Sequence, residues 1–194
     1  MQNNVGIYAS QISGHLYGGP YGAYDSLATV TVGAGGVASI NFTGIPNGYK
    51  HLQLRISGQT SRGTYGNDYM SMMLNGNSSA VYSYHMLTGD GTSASSSGGG
   101  TQNNIYLSYK LGSTTSGAFG AYIIDILDYA NANKYKTIRC LAGIDINGLI
   151  SGYGGELQIL SGSYQSTNAI TSLTFTPGNA NFTQYSSFAL YGVK

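Results

Sequence analysis

The chain is 194 residues long, which suits one domain with a full core. Only 8% of its residues are charged, against roughly 25% in a typical soluble domain, and the formal net charge is +1. Its eight Lys and Arg residues are scattered, so the cation clusters that neutralise nucleic-acid phosphates are missing and nucleic acid is set aside as a partner.

Solubility must come from Ser, Thr, Asn, Gln and Gly. The 30 glycines, 18 tyrosines and absence of Trp fit short strands, tight turns and a polar, uncharged surface. The single cysteine, Cys140, excludes an internal disulfide. It alternates with Ile138 and Ala142, which reads as a small buried hydrophobe. No apolar run approaches the roughly 20 residues of a membrane helix. The first residues show neither a positive n-region nor an apolar h-region. The expectation is a protein made in the cytoplasm, with no membrane partner.

Residues 1–25 differ from the rest. Single apolar residues (Val5, Ile7, Ile12, Leu16) and tyrosines (Tyr8, Tyr17, Tyr21, Tyr24) are spread among Gly and polar residues. A long regular element is not expected there. The plain reading is a floppy tail. The sharper one is an arm that orders against a neighbouring subunit, with tyrosines supplying contact area at low entropy cost.

Residues 26–194 read as one β domain. Residues 26–32 and 37–42 flank Gly33-Ala34-Gly35-Gly36, a hairpin signature. Residues 49–58 alternate, with Leu52, Leu54 and Ile56 on one side and His51, Gln53 and Arg55 on the other. Residues 59–68 are a polar loop carrying Arg62 and Tyr65. Residues 69–74 form a Met-rich strand in which Met70, Met72 and Met73 read as core filling. Residues 80–87 are a further strand.

Residues 88–103 hold no apolar side chain larger than Ala, so an exposed loop around Asp90 is expected. Residues 104–111 read as a strand with Ile105, Leu107 and Tyr109 on one face. Residues 120–143 form the clearest unit, a long hairpin whose two runs sit mid-sheet around a turn at 128–134. A Gly-rich loop with Tyr153 follows. Strands at 156–160, 170–176 and 182–193 finish the chain. About ten strands with turn signals at 8–12-residue spacing point to an all-β, antiparallel sandwich or barrel.

Chemistry is sparse. There are seven carboxylates, and a glycosidase needs two facing each other across a cleft. Asp125 and Asp128 are three apart, so a regular strand puts them on opposite faces. Asp128 looks like a turn former. Asp125, inside an apolar run, reads as an outer-face carboxylate or one paired with a neighbour such as Arg139, in preference to a buried functional acid. His15, His51 and His85 sit in three segments without metal spacing, although His51 and His85 could meet across a sheet. Asp145-Ile146-Asn147-Gly148 lacks the later carboxylates of a calcium loop and reads as a turn. No G-x-S-x-G motif and no phosphate loop occur. The expectation is no enzyme, no metal and no cofactor.

Four stretches carry a resemblance. They are Val30-Thr31-Val32-Gly33-Ala34-Gly35-Gly36; Tyr49-Lys50-His51-Leu52-Gln53-Leu54-Arg55; Asp125-Ile126-Leu127-Asp128-Tyr129-Ala130-Asn131 with Lys134-Tyr135-Lys136-Thr137; and the closing Tyr185-Ser186-Ser187-Phe188-Ala189-Leu190-Tyr191-Gly192-Val193-Lys194. In these the chain resembles a family of virion proteins encoded by tailed bacteriophages, often aquatic and cyanobacterial ones. The resemblance implies a jelly-roll-like β-sandwich of about 8–10 strands, located in the virion as a capsid decoration or a tail or fibre module. It also implies self-assembly, with a trimer as the expected homo-oligomer, and contact with other virion proteins. It supplies no catalytic residues. Residues 1–25 fall outside the pattern.

Three readings follow. The first is a structural virion protein docked through Ile7, Tyr8, Ile12, Leu16, Tyr17, Tyr21 and Tyr24. The second is a module that binds a host glycan or receptor through the loops bearing Arg62, Tyr65, Asp90 and Tyr153. The third, an enzyme such as a depolymerase, is the least supported.

Overall fold

The computed structural model describes residues 22–63, 65–107, 109–114, 117–147 and 155–194. Among them every regular element is a strand, fourteen in all. Among these described residues no helix is long and apolar enough to cross a membrane. The expectation of an all-β sandwich holds.

The larger sheet follows the order β1 (Tyr24–Thr31), β14 (Ser187–Val193), β3 (His51–Thr60), β10 (Gly120–Leu127), β11 (Lys136–Ile144), β12 (Glu156–Tyr164), β6 (Tyr82–Gly89) and β7 (Ala94–Gln102). Every pairing along this path is antiparallel. Two short strands, β4 (Asn67–Asp68) and β9 (Leu111–Ser113), attach at one end, where β9 runs parallel to β3. The smaller sheet has the order β2 (Ile40–Thr43), β13 (Ser172–Pro177), β5 (Met70–Leu74) and β8 (Ile105–Tyr106).

The core lies between the two sheets. Leu52, Leu54 and Ile56 of β3, Ile124 and Ile126 of β10, and Ile138 and Cys140 of β11 face inward from the larger sheet. Phe42, Met70, Met72, Leu173 and Phe175 face them from the smaller one. Phe175 reaches Phe188 of β14 across the gap, ring centroids 5.7 Å apart. Burying each such side chain contributes about 1.5–3 kcal/mol. β2, β10, β11, β12 and β14 carry the period-2 alternation that one buried face requires.

The 120–143 hairpin is as expected, with Asp125 directly opposite Arg139 and Ile126 opposite Ile138. It sits mid-sheet between β3 and β12. Its turn is held by Lys136, whose side chain is fully buried. The Lys136 ammonium donates to the carbonyls of Asn131, of Lys134 at 3.0 Å and of Thr167 at 3.1 Å. Burial lowers its pKa from the usual lysine value. Asp128 closes the same turn at φ 47°, and its carboxylate meets Lys134 and Lys50.

Four expectations are corrected. Residues 26–42 do not form a hairpin, because β1 lies in the larger sheet and β2 in the smaller. The glycine run carries the chain across the sandwich, with Gly35 at φ 96° and Gly36 at φ 69°. A Cβ on Gly36 would stand 2.5 Å from the Phe182 carbonyl oxygen, so the close approach needs glycine.

Residues 88–103 are not a loop. β6 continues to Gly89, and Ala94–Gln102 is an edge strand paired with it. Glycine is again the reason: a Cβ at Gly98 would meet the Tyr84 carbonyl oxygen at 2.9 Å and the His85 ring at 2.8 Å. The low-complexity composition lets β7 lie close against its neighbour.

Residues 104–111 are not one strand. Ile105 and Leu107 are buried, but the chain leaves the smaller sheet after Tyr106, and Tyr109 is exposed. His51 and His85 do not meet. Three strands separate β3 from β6, which puts them about 19 Å apart at the usual strand spacing of ~4.8 Å.

Candidate functional site

Eight strands lie along the larger sheet's path and four in the smaller, so one part of the larger sheet's inner face is left open. The open part lies beside β8, over β12, β6 and β7. It is a groove of about 480 Å³. Met86 and Thr88 of β6, Ser97 of β7 and Gln158 of β12 line its floor. Tyr106 and Tyr109 form a wall, and Arg62, Tyr65 and Asn67 close one end.

The wall is a tyrosine cluster. Tyr106 lies 5.3 Å from Tyr69, 5.7 Å from Tyr84 and 5.8 Å from Tyr109, measured between ring centroids. Tyr69 and Tyr109 meet edge to face at 5.4 Å. Such contacts stiffen rings that are partly open to solvent. Burial, helped by a hydrogen bond with Tyr109, pushes the Tyr106 phenol far above its usual pKa. It stays a neutral hydroxyl, able to donate and accept.

The end is anchored by a buried carboxylate. Asp68 of β4 has no solvent exposure. It accepts the Tyr69 backbone N–H at 2.9 Å and the Asn179 side-chain amide at 3.2 Å. Its Oδ1 lies 3.3 Å from Arg62 Nη1. The Arg62 guanidinium in turn covers the Tyr65 ring, 4.2 Å from its centroid. A buried acid thus fixes the cation, and the cation fixes the ring. Lys110, also buried, pairs with Glu156 on the groove's other flank. Gln158 Nε2 is directed at Met86 Sδ at 2.9 Å, a weak acceptor that an incoming hydroxyl oxygen could replace.

Of the residues singled out in the sequence, Arg62 and Tyr65 come together here. Asp90 does not line the groove. It caps the β6–β7 turn, accepting from the N–H groups of Thr92 at 2.8 Å and Ser93 at 2.7 Å and from both hydroxyls. Those bonds hold its carboxyl far below the usual range. Tyr153 lies outside the described residues, as do Ile7, Tyr8, Ile12, Leu16, Tyr17 and Tyr21 of the expected arm. Tyr24 lies inside β1, so the sheet begins two residues before the boundary expected at 25/26. Sequence reading missed Tyr106, Tyr109, Lys110, Glu156 and Gln158. The only signal was a tyrosine pair three residues apart ahead of a lysine, which reads equally well as strand.

The remaining candidates are structural. Asp125 faces outward and accepts from Gln53 Nε2 at 2.9 Å. Cys140 is buried, and burial pushes its thiol up to about 12. Among the described residues no group of three or more His, Cys, Asp or Glu is placed to hold a metal ion.

No family model matches the chain. No curated protein matches it. A solved structure similar to it is the CBM2 module of evolved Dit from Lactobacillus casei BL23 phage J-1. That chain is 15% identical, the match covers 80% of this chain and 69% of that one, and the TM-score is 0.24.

Proposed function

We propose that this chain is a non-enzymatic module on the surface of a bacteriophage virion that holds a host-surface saccharide in the tyrosine-walled groove. The observation that supports this most is the pairing of rigid, partly exposed rings with polar groups. Tyr109 and Tyr65 offer apolar faces to sugar C–H groups, while Gln158, the Tyr106 hydroxyl and the Lys110–Glu156 pair lie within the same groove. The particle setting rests on the resemblance of the four stretches named above. Binding of host envelope polysaccharide by calorimetry, lost in Tyr109→Ala, tests the reading. Absence of binding to any envelope polysaccharide of the host overturns it.

A second reading is a capsid decoration or a tail or fibre component that only builds the particle, docking on neighbouring subunits through residues 1–25 as a homo-oligomer such as a trimer. Exposed aliphatic side chains on the outer face of the larger sheet favour it. Localisation of the labelled chain on purified particles tests it, and its absence from them overturns both readings.

A further inference from the structure

The outer face of the larger sheet carries a continuous apolar row. Ile123 of β10 pairs with Leu141 of β11, Leu141 with Ile159 of β12, and Ile159 with Leu87 of β6. On β10, β11 and β12 the residues on either side of the row members point into the core, so the row itself points outward. The four side chains are between 43% and 58% exposed. Leu157 extends the row along β12. Four strands at ~4.8 Å spacing make the row about 14 Å long. A contiguous aliphatic strip of this kind on a soluble fold marks an interaction surface.

The border of the row is polar and held in place. Arg55, the strand partner of Ile123, lies 5.6 Å from the Tyr24 ring centroid and 5.4 Å from that of Tyr191. Its Nε donates to Gln53 Oε1 at 3.1 Å, and Gln53 donates to Asp125.

We infer that this row receives residues 1–21 of a second copy of the chain, a contact that rests on the docking reading above. Three observations point to that occupant. Residues 1–21 contain no Asp, Glu, Lys or Arg, which suits an uncharged strip. Val5, Ile7 and Ala9 alternate, so an extended chain presents one apolar edge. The direction of β1 supplies the third. Tyr24 enters the sheet opposite Val193, at the level of His51. The row lies further along, at the level of Thr29, Ala189 and Arg55. Ala23, whose carbonyl accepts the Lys194 N–H, therefore stands at the sheet's end away from the row, and a second copy past that end is within reach of the residues that precede it. The reach is ample, since an extended segment of this length spans about 70 Å.

The test uses the full chain in analytical ultracentrifugation. The wild type is expected to associate. Leu141→Ser with Ile159→Ser, and separately Ile7→Asp with Ile12→Asp, are each expected to weaken association at least tenfold while the thermal transition is kept. Leu157→Ser serves as an independent row variant should the pair fail to fold. A mixture of Ile7→Cys and Ile159→Cys chains is expected to form a disulfide-linked dimer under mild oxidation, since Cys140 is buried. A wild type that stays monomeric at high concentration overturns the inference. So does association that survives the row variants, or association lost in the row variants but kept in the segment variants, which would mean two rows stacked face to face. Disulfide closure within one dilute chain carrying both Ile7→Cys and Ile159→Cys would place the segment on its own row and also overturn it. Polysaccharide binding on the same variants is expected to be unchanged, so a failed saccharide reading leaves the association result intact and a failed docking result leaves the groove intact.

Discussion

Arg62 lies over the Tyr65 ring at 4.2 Å while its other side is bound to a fully buried Asp68. The ring at the mouth of the groove is therefore held before any ligand arrives, which lowers the ordering cost of binding. Asp68→Asn is expected to weaken saccharide binding through loss of that order and to destabilise the fold. Arg62→Ala is expected to weaken binding and, by leaving the buried Asp68 carboxylate without its cation, to cost on the order of 3 kcal/mol of stability. Calorimetric titration alongside thermal unfolding separates the two.

Tyr109 is the most exposed ring of the cluster, and its loss removes wall without removing core. Tyr109→Ala is expected to reduce polysaccharide affinity roughly tenfold, as for a binding hot spot. Tyr109→Phe, which keeps the ring, is expected to retain most of it. Equal loss in both variants would assign the effect to the hydroxyl.

Lys136 is a buried cation with no carboxylate in its bonds, satisfied by three backbone carbonyls. Lys136→Met keeps the length and strands those carbonyls. The expected cost is on the order of 3 kcal/mol, read as a lowered denaturant midpoint. A change under about 0.5 kcal/mol would show that water replaces the ammonium.

Lys134, then Lys50, lower the Asp128 carboxyl from its usual 3.8 to about 2. Lys194 likewise lowers Asp25, which ties the start of β1 to the chain end. A carboxyl lowered in the folded state binds protons more readily when unfolded. Its contribution is fully present above about pH 4 and is lost as the pH falls toward 2. The melting temperature is expected to drop across that window, and Asp128→Asn is expected to flatten the drop.

Cys140 has a buried thiol with its pKa pushed up to about 12. Native protein is expected to resist a thiol reagent at neutral pH and to react fully once unfolded. Fast reaction of the folded chain would show that the β10–β11 region opens readily.

Much of the scaffold was legible in the residues. The alternation in β3 and the Ile138, Cys140, Ala142 series of the hairpin marked buried side chains, and Asp125 lies on the outer face, one of the places read for it. The errors share a cause. Gly33-Ala34-Gly35-Gly36 signals a turn, but a turn does not say whether the next strand pairs with the last. Ser and Gly in β7 look like a loop because strand propensity reports packing, and an edge strand has little to pack. Tyr106 and Tyr109 look like neighbours on one strand because nothing local marks where the chain leaves the sheet.

The sequence by itself determined the class of the protein: an all-β domain of low charge, with Leu52, Leu54 and Ile56 sharing one face and Cys140 buried in line with Ile138 and Ala142. Period-2 patterning is local, so it can be read without a partner. The tertiary structure alone decided which sheet each strand joined, and with it the groove and the apolar row. Backbone hydrogen bonds are nearly the same for every residue, so strand order is written in non-local packing. The row exists only because Ile123, Leu141, Ile159 and Leu87, spread over four strands, fall into register.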